Sequence, residues 1–332
     1  MEISGSARLS VRITAADVGK RVSVRTLTGT GGQSARFTDT IGVLTSWTGG
    51  VVSITRRDGR VVRLAESSLV AGKVVPPTPA RRRGMPAAGI AELTAVAARS
   101  WAAPESERIG DWLARAGGGW TRRANSALPL DEGAPDLDRL TAWYRERGLP
   151  AALQLMTGAE LLAAELDGRG WTASGHTVVQ VAPLAPLADR LPDQRVTVGR
   201  ALTPEWLNGW PRAAAAPEMA RRILTAGPSV WFATATGPDG RPAAVGRCVV
   251  DGRWAGYAAL RVDPAHRRTG LATAVMAELA RTALADGASA ACLQVETDKT
   301  AARTLYTHLG FADHHHYHYR TEPRSGPAVT DA

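Results

Sequence analysis

"VDPAHRRTGLATAVMAELARTALADG", residues 262–287, changes character twice within a short span. An apolar run with strand-like composition, "WAGYAALRV" at 254–262, leads into it, and Asp263-Pro264 stops that run, because proline has no N–H to give a ladder. A short basic turn, His266-Arg267-Arg268, follows, and at Gly270 helical spacing begins. Leu271, Val275, Leu279 and Ala283 form one apolar stripe with Ala272 and Met276 beside it, while Arg281 points away. A helix with such a stripe packs on a sheet. The stretch therefore reads as strand, basic loop and helix, with the helix N-terminus at the mouth of a sheet.

The first N–H groups of a helix have no internal partner, and the helix dipole adds roughly half a positive charge there. Such an end attracts phosphate, and Gly270 with small Ala272 lets a ligand come close to the backbone. Two familiar phosphate loops are excluded by spacing: there is no Gly-Lys-Ser/Thr of a Walker loop and no Gly-x-Gly-x-x-Gly of a dinucleotide fold.

What remains, Arg267-Arg268-Thr269-Gly270-Leu271-Ala272, closely resembles the acyl-CoA pyrophosphate loop, Arg/Gln-x-x-Gly-x-Gly/Ala, of the GNAT superfamily of N-acyltransferases. A second segment, "LQVETDKTAARTLYTHLGF" at 293–311, is similar to the family's later strand and helix, which carries Leu-Tyr and ends in Gly-Phe. The resemblance covers residues 195–320 and implies acetyl-CoA as acyl donor, with an amine as acceptor and no metal. It places the pyrophosphate on backbone N–H groups of Arg268, Thr269, Gly270, Leu271, Ala272 and Thr273, with charge from Arg267. The pantetheine arm is expected along Leu260, Arg261 and Val262, like an added strand. A backbone N–H near Val262 would face the thioester oxygen as negative charge grows on it. Tyr306 matches the tyrosine that protonates the leaving thiolate, a proton that a phenol holds at neutral pH. Lys299 stands where many relatives carry asparagine, which suggests a CoA phosphate as its partner.

The general base is less legible. Strand 254–262 has no carboxylate, so Glu296, on the strand face of Cys292 and Gln294, is the first candidate. The run "FADHHHYHYR", residues 311–320, supplies two more. As a strand it alternates, with His314, His316 and His318 on one face and His315, Tyr317 and Tyr319 on the other. Same-face residues of one strand lie roughly 6.6 Å apart and project in parallel, poor geometry for chelating a metal ion. Near the acceptor cleft, His316 or His318 would titrate close to neutral pH and accept a proton from the amine.

Working outward, the fold expected is α+β. Three strands joined at Asp239-Gly240 and Asp251-Gly252 form an antiparallel meander, and β-α-β units complete a mixed, mainly antiparallel sheet over 195–322. Residues 99–190 alternate helices and strands but hold no phosphate loop. They are expected to form a degenerate GNAT-like half, a wall of the acceptor pocket or a scaffold. Before them, residues 77–98 are rich in proline and arginine and read as a linker. Residues 1–76 carry five short strand patterns, the first at 9–14 and the last, "RVVRLAESSLV", at 60–70, with turn signals at Thr48-Gly49-Gly50 and Arg57-Asp58-Gly59. This segment resembles a small Src-homology-3-like β-barrel, a candidate surface for a protein partner, and residues 323–332 read as a disordered tail.

Composition narrows the function classes. The formal charge is +9, yet only Lys20, Lys73 and Lys299 are lysines among 40 basic residues. The arginines are scattered, which favours a GC-rich coding bias over a nucleic-acid footprint, and the one tight run, Arg81-Arg82-Arg83, falls in the linker. No apolar run reaches the ~18 residues of a membrane span, and the N-terminus lacks a signal-peptide core, so a cytoplasmic location is expected. Cys248 and Cys292 lie in apolar strands and read as buried free thiols. Beside the transferase stand two alternatives: a CoA-binding regulatory protein without turnover, and a nucleic-acid-associated acetyltransferase.

Overall fold

In the computed structural model, residues 11–28, 36–56, 60–75 and 83–323 are described. The chain divides into two compact units, Met1–Ala80 and Arg81–Ala332. In the first, strands β1 (Arg21–Thr28), β2 (Arg36–Thr48), β3 (Val51–Thr55), β4 (Val61–Ala65) and β5 (Leu69–Val74) form an antiparallel sheet in the order β4-β3-β2-β1-β5. The 13-residue β2 serves both β1 and β3, which lets the sheet curl around Ile13, Val22, Val24, Leu44, Val52 and Ile54. Gly49 and Gly50, at φ 58° and 73°, make the β2–β3 turn that only positive φ at both centres allows. Two expectations are corrected. Residues 11–14 form no strand, only a single bridge from Val11 to Gly72, and the run expected as one strand at 60–70 breaks at the 3₁₀ turn Glu66–Ser68 into β4 and β5. Arg57-Asp58-Gly59, Arg81 and Arg82, and nearly all of the expected tail lie outside the described residues.

The second unit opens with α1 (Ile90–Ser100), a hairpin of β6 (Glu105–Ile109) and β7 (Trp112–Ala116) joined by β8 (Leu128–Pro129), α2 (Leu137–Arg145), β9 (Ala152–Met156), α3 (Glu160–Gly168), β10 (Thr172–Pro183) and α4 (Leu184–Ala188). It continues through β11 (Val196–Gly199), α5 (Pro204–Asn208), α6 (Pro217–Thr225), β12 (Val230–Thr236), β13 (Pro242–Asp251), β14 (Trp254–Val262), α7 (Leu271–Ala285), β15 (Ala290–Glu296), α8 (Thr300–His308) and β16 (Ala312–Thr321). One eight-stranded sheet runs β11-β12-β13-β14-β15-β10-β16-β9, antiparallel throughout except for the parallel pair β14–β15.

The sequence drew a boundary between 190 and 195, but β10 lies between β15 and β16, so residues from both sides of that boundary share one sheet. The linker expected over 77–98 also ends early: α1 begins at Ile90, and its Leu93 and Val96 are buried against β10, β14 and β15 residues.

Helix α7 and the α8 side chains Leu305 and Tyr306 cover one face of the sheet, through a cluster that includes Leu271, Val275, Leu279, Leu293 and Phe311. Each such aliphatic side chain contributes roughly 1.5–3 kcal/mol by leaving water. Gly246 lets α7 come close, since a Cβ there would lie 2.6 Å from Val275 Cγ1. Helices α1, α5 and α6 lie on the opposite face. There the fully buried Arg247 of β13 donates to the carbonyls of Ser100, Leu224 and Ala226, each at 2.7 Å, and so ties the C-terminal ends of α1 and α6 to the sheet. Burial pulls its pKa down to about 9, and it stays a cation at neutral pH.

Candidate active site

The site begins where β14 and β15 part. Their parallel pairing runs from Trp254↔Ala290 to Tyr257↔Leu293 and then stops. Beyond that point β14 keeps only β13 as a partner, and a bulge between Arg247 and Val245 coincides with Ala259 at φ 53°. An alanine in the left-handed region costs roughly 1–2 kcal/mol, strain that the surrounding pairing holds in place. Asp263 N–H donates to Ala243 O on β13, so by alternation the N–H groups of Leu260 and Val262 point the other way, toward the gap that β15 leaves. The chain thus presents a half-empty strand edge, with Leu260 and Val262 packed against the core and half exposed.

That edge leads directly to the loop and to α7. Asp263 accepts from Ala265 N–H at 3.0 Å and caps the 3₁₀ turn Pro264–His266, and Thr269 Oγ1–H donates to His266 O at 2.6 Å. Arg268 (φ 66°) and Gly270 (φ 82°) then bend the backbone into α7. Gly270 is the N-cap residue and no side chain caps the helix, so the N–H groups of its first turn stay free of a side-chain acceptor. No atom within 4 Å would meet a Cβ on Gly270, and Arg267, Arg268, Thr269 and Gly270 are all exposed. Uncapped donors, a dipole end and two arginines in open space fit the pyrophosphate of an acyl-CoA.

Tyr306 stands over the point of divergence. Its ring packs 5.9 Å from that of Phe311, which meets Tyr257, the last paired residue of β14, edge-on at 6.3 Å. Burial pushes its phenol up to about 12, against a smaller opposite pull from Arg123. The group therefore carries its proton at neutral pH.

The other sequence-predicted residues are placed differently from expectation. Glu296 does share the face of Cys292 and Gln294, but its carboxylate is engaged by the Arg122 guanidinium and lies 3.7 Å from Lys299 Nζ. Lys299 also pairs with Asp298 at 3.2 Å, a hydrogen bond that holds its ammonium above the ordinary range. Its charge is turned toward these carboxylates, and among the described residues it makes no hydrogen bond or ion pair with the α7 loop. His316 and His318 stand on the face opposite to Tyr317. His316 is exposed, its backbone paired with Thr157, and His318 stacks on His176 with ring centroids 5.2 Å apart. Burial lowers the His318 pKa, with Arg320 and His176 adding to the shift. His315 is buried, and its Nδ1 meets His314 Nδ1 at 2.8 Å, while His314 Nε2 lies 2.9 Å from Ala88 O. A carbonyl only accepts, so His314 carries its proton on Nε2, and His315 donates from Nδ1. Burial, then the neighbouring imidazoles, lower the His315 pKa to about 4.

In place of those histidines, the gap between β14 and β15 receives residues that sequence reasoning passed over. Below it lies a pocket lined by Ser100, Trp101, Arg123, Ala258, Cys292 and Gln294, among others. Arg123 comes from the loop after β7. Asn125 staples that loop: its Oδ1 accepts from Gly117 and Gly119 N–H at 2.8 and 2.9 Å, and its Nδ2 donates to Trp120 O and Thr121 O. Thr121 is held at φ 67° and accepts from Trp101 Nε1–H at 3.1 Å. From this support Arg123 Nη2–H donates to the Gln294 carbonyl at 3.1 Å, on the edge that β14 has left. Tyr317 Oη–H donates to Gln294 Oε1 at 2.9 Å. The signal in the sequence was "GGGWTRRAN", a glycine-rich turn followed by paired arginines.

A sequence profile described as "Probable histone acetyltransferase Rv0428c C-terminal" matches residues 87–320. The chain belongs to this family. It is also 29% identical over 304 residues to the probable histone acetyltransferase Rv0428c of Mycobacterium tuberculosis, covering 91% of this chain and 94% of that protein. Among solved structures it resembles a GCN5-related N-acetyltransferase from Kribbella flavida, with a TM-score of 0.53 and 18% identity over 71% of this chain and 97% of that one. It also resembles a tandem GNAT protein from the clavulanic acid biosynthesis pathway, with a TM-score of 0.50 and 14% identity over 76% and 93%. The fold is therefore that of the GNAT superfamily, joined to an N-terminal barrel.

Proposed function

We propose that this protein transfers an acetyl group from acetyl-CoA to a primary amine by direct attack on the thioester. The observation that carries the reading is the continuity of three features: the half-empty edge at Leu260–Val262, the uncapped N-terminus of α7 at Gly270, and Tyr306 over the divergence of β14 and β15. The pantetheine arm would complete the β14 edge, with its pyrophosphate on the N–H groups from Arg268 to Thr273. As the amine nitrogen bonds to the acyl carbon, the carbonyl oxygen takes up negative charge facing a β14 N–H. When the C–S bond breaks, Tyr306 gives its proton to the departing thiolate and regains one, through water, from the nitrogen that has become bonded to the acyl carbon and must shed its second proton. The amine must shed a proton first, and water in the gap would take it, since Glu296 is held by Arg122 and Lys299.

Residues 99–190 serve in this reading as a wall of the acceptor pocket, through Trp101 and Arg123, and not as a second donor site. The names of the relatives favour acetylation, and that of the Kribbella flavida N-acetyltransferase an amine acceptor, which would enter from the Trp101 side. Calorimetry with acetyl-CoA tests donor binding, and thiol release with an amine tests turnover. The paired state of Glu296 also favours a second reading, a protein that binds CoA without turnover. Donor binding with no thiol release against any amine would establish that second reading and overturn the first.

A further inference from the structure

The acceptor pocket holds two polar groups that the fold itself leaves unused. Arg123 is half-buried and, among the described residues, forms no ion pair with any carboxylate. Its donors go to an uncharged carbonyl, Gln294 O at 3.1 Å, and weakly to Tyr317 Oη at 3.4 Å. A guanidinium has five N–H groups, so at least three remain, all of them on Nη1 and Nη2. The neighbouring cations are treated differently: Arg122 and Lys299 share Glu296. Ser100 is the second group. It is 9% exposed, its Oγ has no hydrogen-bond partner, and it lines the same pocket. Gly256 makes room for it, since a Cβ there would lie 2.8 Å from Ser100 Oγ. A buried hydroxyl without a partner costs about 1–3 kcal/mol, and Arg123 keeps donors that no protein acceptor takes, with Glu296 acting on it only without direct pairing. A ligand carboxylate would satisfy the Ser100 hydroxyl and the remaining Arg123 donors together.

We infer that the acceptor is an amine bearing a carboxylate, held by Arg123 and Ser100 with its apolar part against Trp101. The proposal rests on the transferase reading above and names its substrate class. A carboxylate accepts two parallel N–H bonds from a guanidinium and a third from a hydroxyl, which matches the free donors. Glu296 acts on Arg123 without pairing with it, since Arg122 and Lys299 hold that carboxylate, so a lysine side chain of a basic histone tail would bring one more cation to a site that already gathers three. The supporting loop holds the arginine in place, since Asn125 fixes the turn and Trp101 is bonded to the strained Thr121 that precedes the arginine pair.

The test uses the full chain, acetyl-CoA and matched amines that differ only in charge: L-phenylalanine against L-phenylalaninamide, and glycine against glycinamide, with a lysine-rich histone-tail peptide as third arm. Thiol release gives kcat/KM, and calorimetry on the same samples gives acetyl-CoA affinity. The carboxylate member of a pair should be used at least tenfold better, and Arg123→Gln should erase that gap with acetyl-CoA affinity unchanged. Ser100→Ala should raise KM for the carboxylate member without loss of thermal stability, since its hydroxyl bonds nothing in the protein. Equal use of both members, preference for the amide, use of the peptide independent of Arg123, or no thiol release from any carboxylate member while an amide or the peptide is used would each overturn this proposal alone. Failure of the wild-type chain to bind acetyl-CoA would overturn the donor reading, and this proposal with it.

Discussion

Placing a negative charge on the N-cap of α7 should discriminate between a pyrophosphate site and an ordinary helix start. Gly270 sits at φ 82°, a conformation that asparagine and aspartate tolerate better than other residues, and a side chain there meets no protein atom within 4 Å. Gly270→Asn and Gly270→Asp therefore share the same backbone strain and nearly the same shape. They differ by one charge. Against a phosphate oxygen about 4 Å away, that charge costs about 1 kcal/mol at the dielectric constant of water and about 4 kcal/mol at an effective value of 20. At about 1.4 kcal/mol per decade, acetyl-CoA affinity should fall from the asparagine to the aspartate variant by roughly 5-fold to several hundred-fold. Calorimetry at low salt measures the gap, and raising the salt should narrow it, because the site is exposed. Without ligand the ordering of stability should reverse or vanish, since a carboxylate is favoured at a helix N-terminus. Equal affinities for the two variants, both folded, would refute the placement of the pyrophosphate at this turn.

Tyr306→Phe should lower kcat by roughly 10²- to 10⁴-fold and leave acetyl-CoA affinity within a few-fold, as read by thiol release and calorimetry; an unchanged kcat would return Tyr306 to the core. With its phenol pushed up to about 12, the alkaline fall in kcat should lie well above the pKa of a free phenol, and a fall centred near 10 would contradict the burial. Arg247→Met should destabilise the second unit by about 3 kcal/mol, measured by denaturant unfolding through tryptophan fluorescence, because three carbonyls at helix ends lose their donor; no change would mean that those ends find other partners. His315 has a folded pKa lowered to about 4 from 6.5, so the unfolded chain binds the extra proton between these values. Its contribution is present above pH 6.5 and is lost as pH falls toward 4, by up to about 3 kcal/mol. His315→Gln should flatten the stability profile in that window, and identical profiles would refute the assignment.

How far the sequence carried the fold depends on the range of the interactions involved. The strand, loop and helix at 262–287 were readable because each rule that shapes them is local: a proline that ends a ladder, a glycine with positive φ, an apolar stripe of helical period. The same holds for the hairpin turns at Gly49-Gly50, Gly240 and Gly252, all at positive φ. The insertion of β10 between β15 and β16 was not readable, since both neighbours lie more than 100 residues away and a buried strand looks alike wherever it pairs. The alternation of the histidine strand holds from His315 to Tyr319 but fails at His314, where a bulge turns its ring onto that of His315, and the two faces were matched to the wrong surroundings. The tyrosine face turned out to border Gln294 and Arg123, because the packing of α1 in one cluster with Tyr317, and the nearness of the α3 carboxylates Glu160 and Asp167 to His318, are set by tertiary structure alone.

The same distinction separates the proposed donor half of the site from the proposed acceptor half. A pyrophosphate is met by consecutive backbone N–H groups, so its recognition is written in a few adjacent residues around Gly270 and survives as a motif. An acceptor is met by side chains gathered from distant places. Ser100 ends α1, Arg123 follows β7, Ala258 lies on β14 and Gln294 on β15, and no spacing rule relates them. What joins them is the departure of β14 from β15 after Tyr257, which frees the Gln294 carbonyl and opens the space that Arg123 enters. The bulge with Ala259 at φ 53° thus has two consequences from one local strain: it leaves an unpaired strand edge, which the proposed donor would complete, and it leaves a carbonyl to which Arg123 is moored. Straightening β14 would close both at once, so donor and acceptor binding should be lost together in any variant that restores regular pairing there.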